Sequence, residues 1–276
     1  MAKDSEKMIV TLDQALDNIE FILEESTIAM ELAQRHEQSN VQQFCFCMLH
    51  RLNTAIQGIK SVFGKYFGDH RRYDFTIGIT LRAILLDYII VLNAVEIYAK
   101  NEHSPAVAKE KLEEFAIIAL SDAARHTLKY FKTNQQYIPK ESLAEMYSSL
   151  VKSNPNCFKP YANDGSEPQL INSTPLKISD LIHRIRESTH INRKFSEINA
   201  YIYYSKYDHF GQMYYHLSKR QLPEEFENMA DAIAHLPVAV ACNVALLSIY
   251  HPEDKDLEKQ ATRVGIYSQK VEERRK

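Results

Sequence analysis

Apolar residues recur every three or four positions along most of the chain, the spacing that lines one face of an α-helix. Leu12, Leu16, Ile19 and Leu23 form the first such stripe. With Thr11 and Gln14 as a capping-box pair, they predict a helix from about Thr11 to His36, its polar face acidic and solvated. Phe44, Leu49, Leu52, Ile56, Ile59 and Phe63 predict a second helix, opened by the Ser39/Gln42 pair and running to Phe67. A turn at Gly68-Asp69-His70-Arg71-Arg72 leads into the most apolar long stretch, Phe75 to Lys100, which the pattern makes a central helix ending near Asn101. Ser104 and Pro105 then read as N-cap and first helical residue of a helix to about Lys132, with a shorter helix from Lys140 to Val151.

Residues 152–178 break the pattern. Pro155, Pro160, Pro168 and Pro175, with Asn, Ser and Gly between them, predict a long irregular loop, either a cover over the bundle or a linker. From Ser179 no helix breaker occurs until Gly211, which predicts one long helix or two nearly continuous ones. A further helix from Pro223 to Tyr250 contains Pro237, which bends it or divides it. After Pro252 the mixed charges predict an exposed, fraying C-terminal helix. The expected fold is all-α, an antiparallel bundle of about eight or nine helices. Residues 1–276 form one domain in this reading, and a division into 1–151 and 176–276 at the Pro-rich loop is the alternative.

Composition narrows the classes. Only 7 glycines in 276 residues suits helices joined by few turns, and a net charge of −3 argues against broad attraction to nucleic acid. Cys45, Cys47, Cys157 and Cys242 form no CxxC pair and read as free thiols of a reducing cytoplasm. The start, MAKDSEK, has no apolar leader, so no signal peptide is expected. Arg82 and Asp87 lie near the middle of the central helix, and each would cost about 2.5–3.5 kcal/mol in a bilayer, so no membrane span is expected.

Two constellations carry candidate chemistry. Tyr201, Ser205, Asp208, His209, Gln212 and His216 share one broad face of a tyrosine-rich helix, with Tyr204 at its edge and Gly211 permitting close approach. Arg82, Asn93 and Glu96 share a stripe of the central helix, with Ile89 between them. A buried Arg82 requires an acceptor: Asp208, a tyrosine hydroxyl or an anionic ligand. The ligand-binding set is therefore Arg82, Asn93, Tyr204, Ser205, Asp208 and His209; the alternative is a buried network that fixes helix register. Asp122/His126 and Asp231/His235 read as local helix pairs. Glu187-x-x-His190 is half of a di-iron pattern without its second half, and no zinc spacing, phosphate loop or nucleophile elbow occurs. No metal or cofactor is expected.

Arg184 and His190, with five residues between them, resemble the paired arginine and histidine of the HEPN ribonucleases, helical proteins often found in bacterial defence and toxin systems. That resemblance implies metal-independent cleavage of RNA at a homodimer cleft, with Arg184 and His190 catalytic; Ile185 stands where the family carries a polar residue. TLRAILLDYI (Thr80 to Ile89) and YYSKYDHFG (Tyr203 to Gly211) resemble uncharacterised bacterial helical proteins, which implies an all-helical fold and no defined activity. The function expected from the residues is a cytoplasmic binding or regulatory module for a small ligand or a protein partner. Its polar site would lie between the Arg82 helix and the Ser205/His209 helix. The rivals are the ribonuclease and a scaffold with no pocket.

Overall fold

A computed structural model of the chain describes residues 2–36, 39–63, 66–163, 165–191, 194–205 and 222–275. Among these residues the chain forms nine α-helices and no multi-residue strand. The helices are α1 (Ala2–Ala33), α2 (Asn40–Phe63), α3 (Tyr66–Asn101), α4 (Pro105–Asn134), α5 (Lys140–Ser153), α6 (Ile178–Glu187), α7 (Lys194–Ser205), α8 (Leu222–Tyr250) and α9 (Lys255–Arg275). The protein is an all-α multi-helix bundle.

Helix α3 is the hub, packed on α2, α4, α6, α7 and α8. From Tyr88 to Ala94 every residue except Ile90 is buried, as expected of a helix that is apolar nearly all round. Helix α8 is the second hub and touches α1, α2, α3, α7 and α9. Thr76–Asn101 and Glu225–Tyr250 are both long and apolar enough to cross a membrane, yet 67% and 61% of their most apolar stretches are covered by the rest of the bundle. Aromatic contacts tie the layers: Phe63 of α2 lies 5.6 Å from Phe226 of α8, and Phe44 lies edge-on to Phe115 of α4.

The helix boundaries show which local signals act. At α2 the capping box forms as expected: Gln42 N donates to Ser39 Oγ at 3.1 Å, and Ser39 N donates to Gln42 Oε1 at 3.4 Å. The Thr11/Gln14 pair does not start α1, which runs through it from Ala2. Nothing in residues 2–10 opposes a helix, and so short a pattern also fits inside one. The expected turn at Gly68–Arg72 is likewise helical, because α3 already begins at Tyr66. One glycine costs about 1 kcal/mol in a helix, too little to end one whose later turns are buried on most sides.

Of the two readings for Ser179 to Gly211, a single long helix fails at Ser188, and two helices, α6 and α7, form instead over the described residues. The Ser188 Oγ accepts the backbone N–H of His190 at 3.1 Å and of Ile191 at 3.0 Å, and this local alternative to helical bonding ends α6 at Glu187. Pro237 lies inside α8 without dividing it, at the cost of the Ile233 carbonyl's helical partner.

Helix α9 is not the fraying tail expected from its charges. Leu257, Gln260, Val264, Ser268 and Val271 form a buried stripe at helical spacing. Asp254 caps the helix, accepting the N–H groups of Asp256 at 2.9 Å and Leu257 at 3.2 Å. Arg263 anchors it to α1 through Glu24 and the fully buried Glu25, each at 2.7 Å. The Pro-rich segment between α5 and α6 packs on α4 through a short turn at Pro155–Cys157 and closes a single bridge, Phe158 to Leu170. Arg125 of α4 donates to its Thr174 carbonyl at 2.8 Å, so the segment covers the bundle.

Candidate functional site

Buried polar residues lie on α3 and on α7 and α8, which pack against it. Asn93 and Glu96, three residues apart on α3, are both fully buried. The Asn93 amide donates to Ile89 O at 2.9 Å and to Leu181 O of α6 at 3.2 Å, while its Oδ1 has no hydrogen-bond partner among the described residues. Asn93 therefore brackets α6 onto α3 and presents an acceptor to the interior. Glu96 accepts the hydroxyl of Ser188 and lies 3.0 Å from Lys100 Nζ.

Helices α7 and α8, which both pack on α3, carry buried polar residues of their own. Glu197 and His235 are each 1% exposed, with His235 Nδ1 3.6 Å from Glu197 Oε1. The other ring nitrogen lies 3.8 Å from Asp231 Oδ2, so the expected local Asp231/His235 pair is half of a three-residue arrangement across two helices. These separations are those of charge pairing rather than of tight hydrogen bonds. Toward the start of α8, Tyr203 shares its hydroxyl proton between both oxygens of the buried Glu225, at 2.9 and 3.0 Å. Arg82, Tyr203, Tyr204, Glu197, Glu225 and His235 each have a further interaction partner, so the seam is an engaged network.

The residues singled out from sequence fall as follows. Arg82 is half-buried on α3, and Tyr204 is buried on α7 with its ring 5.0 Å from that of Tyr203. Ser205 is half-buried, and its hydroxyl donates to the Tyr201 carbonyl of its own helix at 2.7 Å. Helices α3 and α7 pack directly on each other. Asp208 and His209 lie outside the described residues, as do Gly211, Gln212 and His216. Arg184 is half-buried in the last turn of α6, whereas His190 is exposed in the turn beyond Glu187, so the two do not share a helical face.

Sequence reasoning missed Glu197, Glu225 and Ser188; it paired His235 with Asp231, as the structure does, but not with Glu197. Glu197 and Glu225 each sit beside a large apolar residue that is buried as well, Ile198 and Phe226, and no periodicity distinguishes such a carboxylate from a solvated one.

Cysteine chemistry does not account for the site. All four thiols are free, and burial pushes Cys45, Cys47 and Cys157 above their ordinary range, away from the reactive thiolate.

Asp87 lies on another face of α3, with Arg51 Nε of α2 2.8 Å from its Oδ2. Burial raises its pKa to about 6, against the opposing pull of Arg51. A carboxyl raised on folding is stabilising while protonated, so its favourable contribution fades as pH rises from the unfolded value near 4 through 6. Asp87→Asn is expected to flatten the pH dependence of stability between about pH 4 and 6 and to gain about 1–3 kcal/mol at pH 7 relative to wild type. Urea denaturation at both pH values checks it, and an equal loss at both would show that the Arg51 pairing outweighs burial.

Fold and seam together define the class: an all-α bundle with a buried, carboxylate-rich polar centre. Comparison with protein families, curated proteins and solved structures gives no match.

Proposed function

We propose that this is a soluble, cytoplasmic binding or regulatory module that recognises a small donor-rich molecule, such as an amine, at the seam between α3, α7 and α8. One observation carries the reading: Glu96, Glu197 and His235 lie on three helices that pack on one another, and each is at most 1% exposed. Burying carboxylates is costly, and natural proteins often retain such cost where a site needs it. Three buried carboxylates, with Glu225 the third, offer acceptors that suit ligand N–H groups. The cover supplied by neighbouring helices to the two apolar helices supports a soluble protein.

Native mass spectrometry tests the reading. The protein is incubated with separate pools of small amines, organic acids and nucleotides. A discrete added mass from the amine pool, lost in Glu197→Gln and Glu225→Gln, is expected. No added mass from any pool, or one kept by both variants, would overturn the reading.

The ribonuclease resemblance rests on Arg184 and His190, which stand on either side of a helix end. RNA cleavage by wild type that disappears in His190→Ala would put that activity in place of the binding module.

A further inference from the structure

Away from the seam, the turn after α1 meets the turn between α8 and α9. His36 and His251 stack there, ring centres 3.8 Å apart and planes within 10°. His36 Nε2 lies 2.7 Å from Asp254 Oδ2, and His251 Nδ1 lies 3.8 Å from Glu253 Oε1. One donor atom from each of His36, His251 and Glu253 falls within 4.8 Å of the other two. The His251 Nε2 atom is enclosed and has no hydrogen-bond partner among the described residues. An enclosed ring nitrogen without a partner is unfavourable, and a bound cation would relieve it.

We infer that His36, His251 and Glu253 form a binding site for a divalent transition-metal ion of the zinc class, with Asp254 adjacent as a further carboxylate. Two imidazoles and a carboxylate are the borderline ligand set that zinc accepts, and that magnesium and calcium, which favour oxygen cages, do not. Around a tetrahedral zinc at about 2.0–2.1 Å, donor atoms sit roughly 3.3 Å apart, so the three must close by about 1.5 Å. An ion must also lie in the plane of each ligating ring. Parallel stacked rings cannot satisfy this together, so one imidazole rotates out of the stack on binding. Glu253 has the freedom to follow, since its side chain is 72% exposed. Water completes the coordination.

The ion would join two turns that lie more than two hundred residues apart in sequence. It would thereby fasten α1 to the α8–α9 corner, where Arg35 already meets Asp256 at 3.0 Å. The site is independent of the binding seam.

Cobalt(II) and zinc titrations test it on the full chain. Wild type is expected to bind one equivalent of cobalt with the visible absorption of a nitrogen- and oxygen-ligated ion. Zinc should displace the cobalt and raise the unfolding temperature, while magnesium should do neither. His251→Gln and Glu253→Gln are each expected to weaken zinc binding by about tenfold or more. His126→Gln, which alters an exposed histidine elsewhere, should leave zinc binding unchanged. Glu253 is exposed enough that its replacement leaves folding intact, so it decides the matter even if His251→Gln does not fold. Absence of saturable zinc binding to wild type, or equal zinc affinity in wild type and Glu253→Gln, would overturn the site.

Discussion

His235→Ala is expected to lower stability by about 3–5 kcal/mol, because it leaves the Glu197 carboxylate buried without its imidazole neighbour. Both residues are 1% exposed, so water does not replace what is lost. The cost belongs to the broken arrangement rather than to any net worth of the pair. Replacing both residues, Glu197→Leu with His235→Leu, is therefore expected to recover most of the loss and to leave a chain near wild-type stability. Equilibrium urea unfolding of Glu197→Leu, His235→Leu and the double variant closes the cycle. A coupling near zero would show that Glu197 and His235 do not act as a unit.

Phe226→Ala is expected to cost a similar amount, about 3–5 kcal/mol, for a different reason. Phe226 has no exposed surface and packs on Phe63 of α2, which is equally buried. Truncation removes the transfer energy of the ring and leaves a cavity between α2 and α8 that neighbouring helices fill only in part. The midpoint of urea unfolding should fall with little change in slope. A loss below about 1 kcal/mol would mean that this end of α8 is not anchored through Phe226.

Much of the architecture was legible in the chain because it depends on periodicity. The stripe of α2, Phe44, Leu49, Leu52, Ile56, Ile59 and Phe63, names residues that are all buried, and Ser39 with Gln42 marks a helix start by local chemistry alone. The errors arose where one local signal was read without its setting. Gly68 to Arg72 reads as a turn between two helices, yet it lies inside the helix that begins at Tyr66. The charges of α9 hid a buried stripe from Leu257 to Val271. Ser188 ends α6 with hydroxyl bonds that composition does not reveal.

The candidate site was less legible for a physical reason. Arg82, Asn93 and Glu96 were visible as polar positions in an apolar helix. Their counterparts Glu197 and His235 look like ordinary surface residues until α7 and α8 fold against α3. The His36–His251 stack joins residues with no relation in sequence, and only tertiary structure brings them together.

Under the proposed binding function, the polar seam is kept for binding and not for stability. Thermal unfolding of wild type beside the Glu197→Leu, His235→Leu double variant, each with and without the amine pool, tests this most directly. The pool is expected to raise the unfolding temperature of wild type alone, while the double variant unfolds near the wild-type temperature and does not respond. An equal rise in both proteins, or none in either, would contradict it.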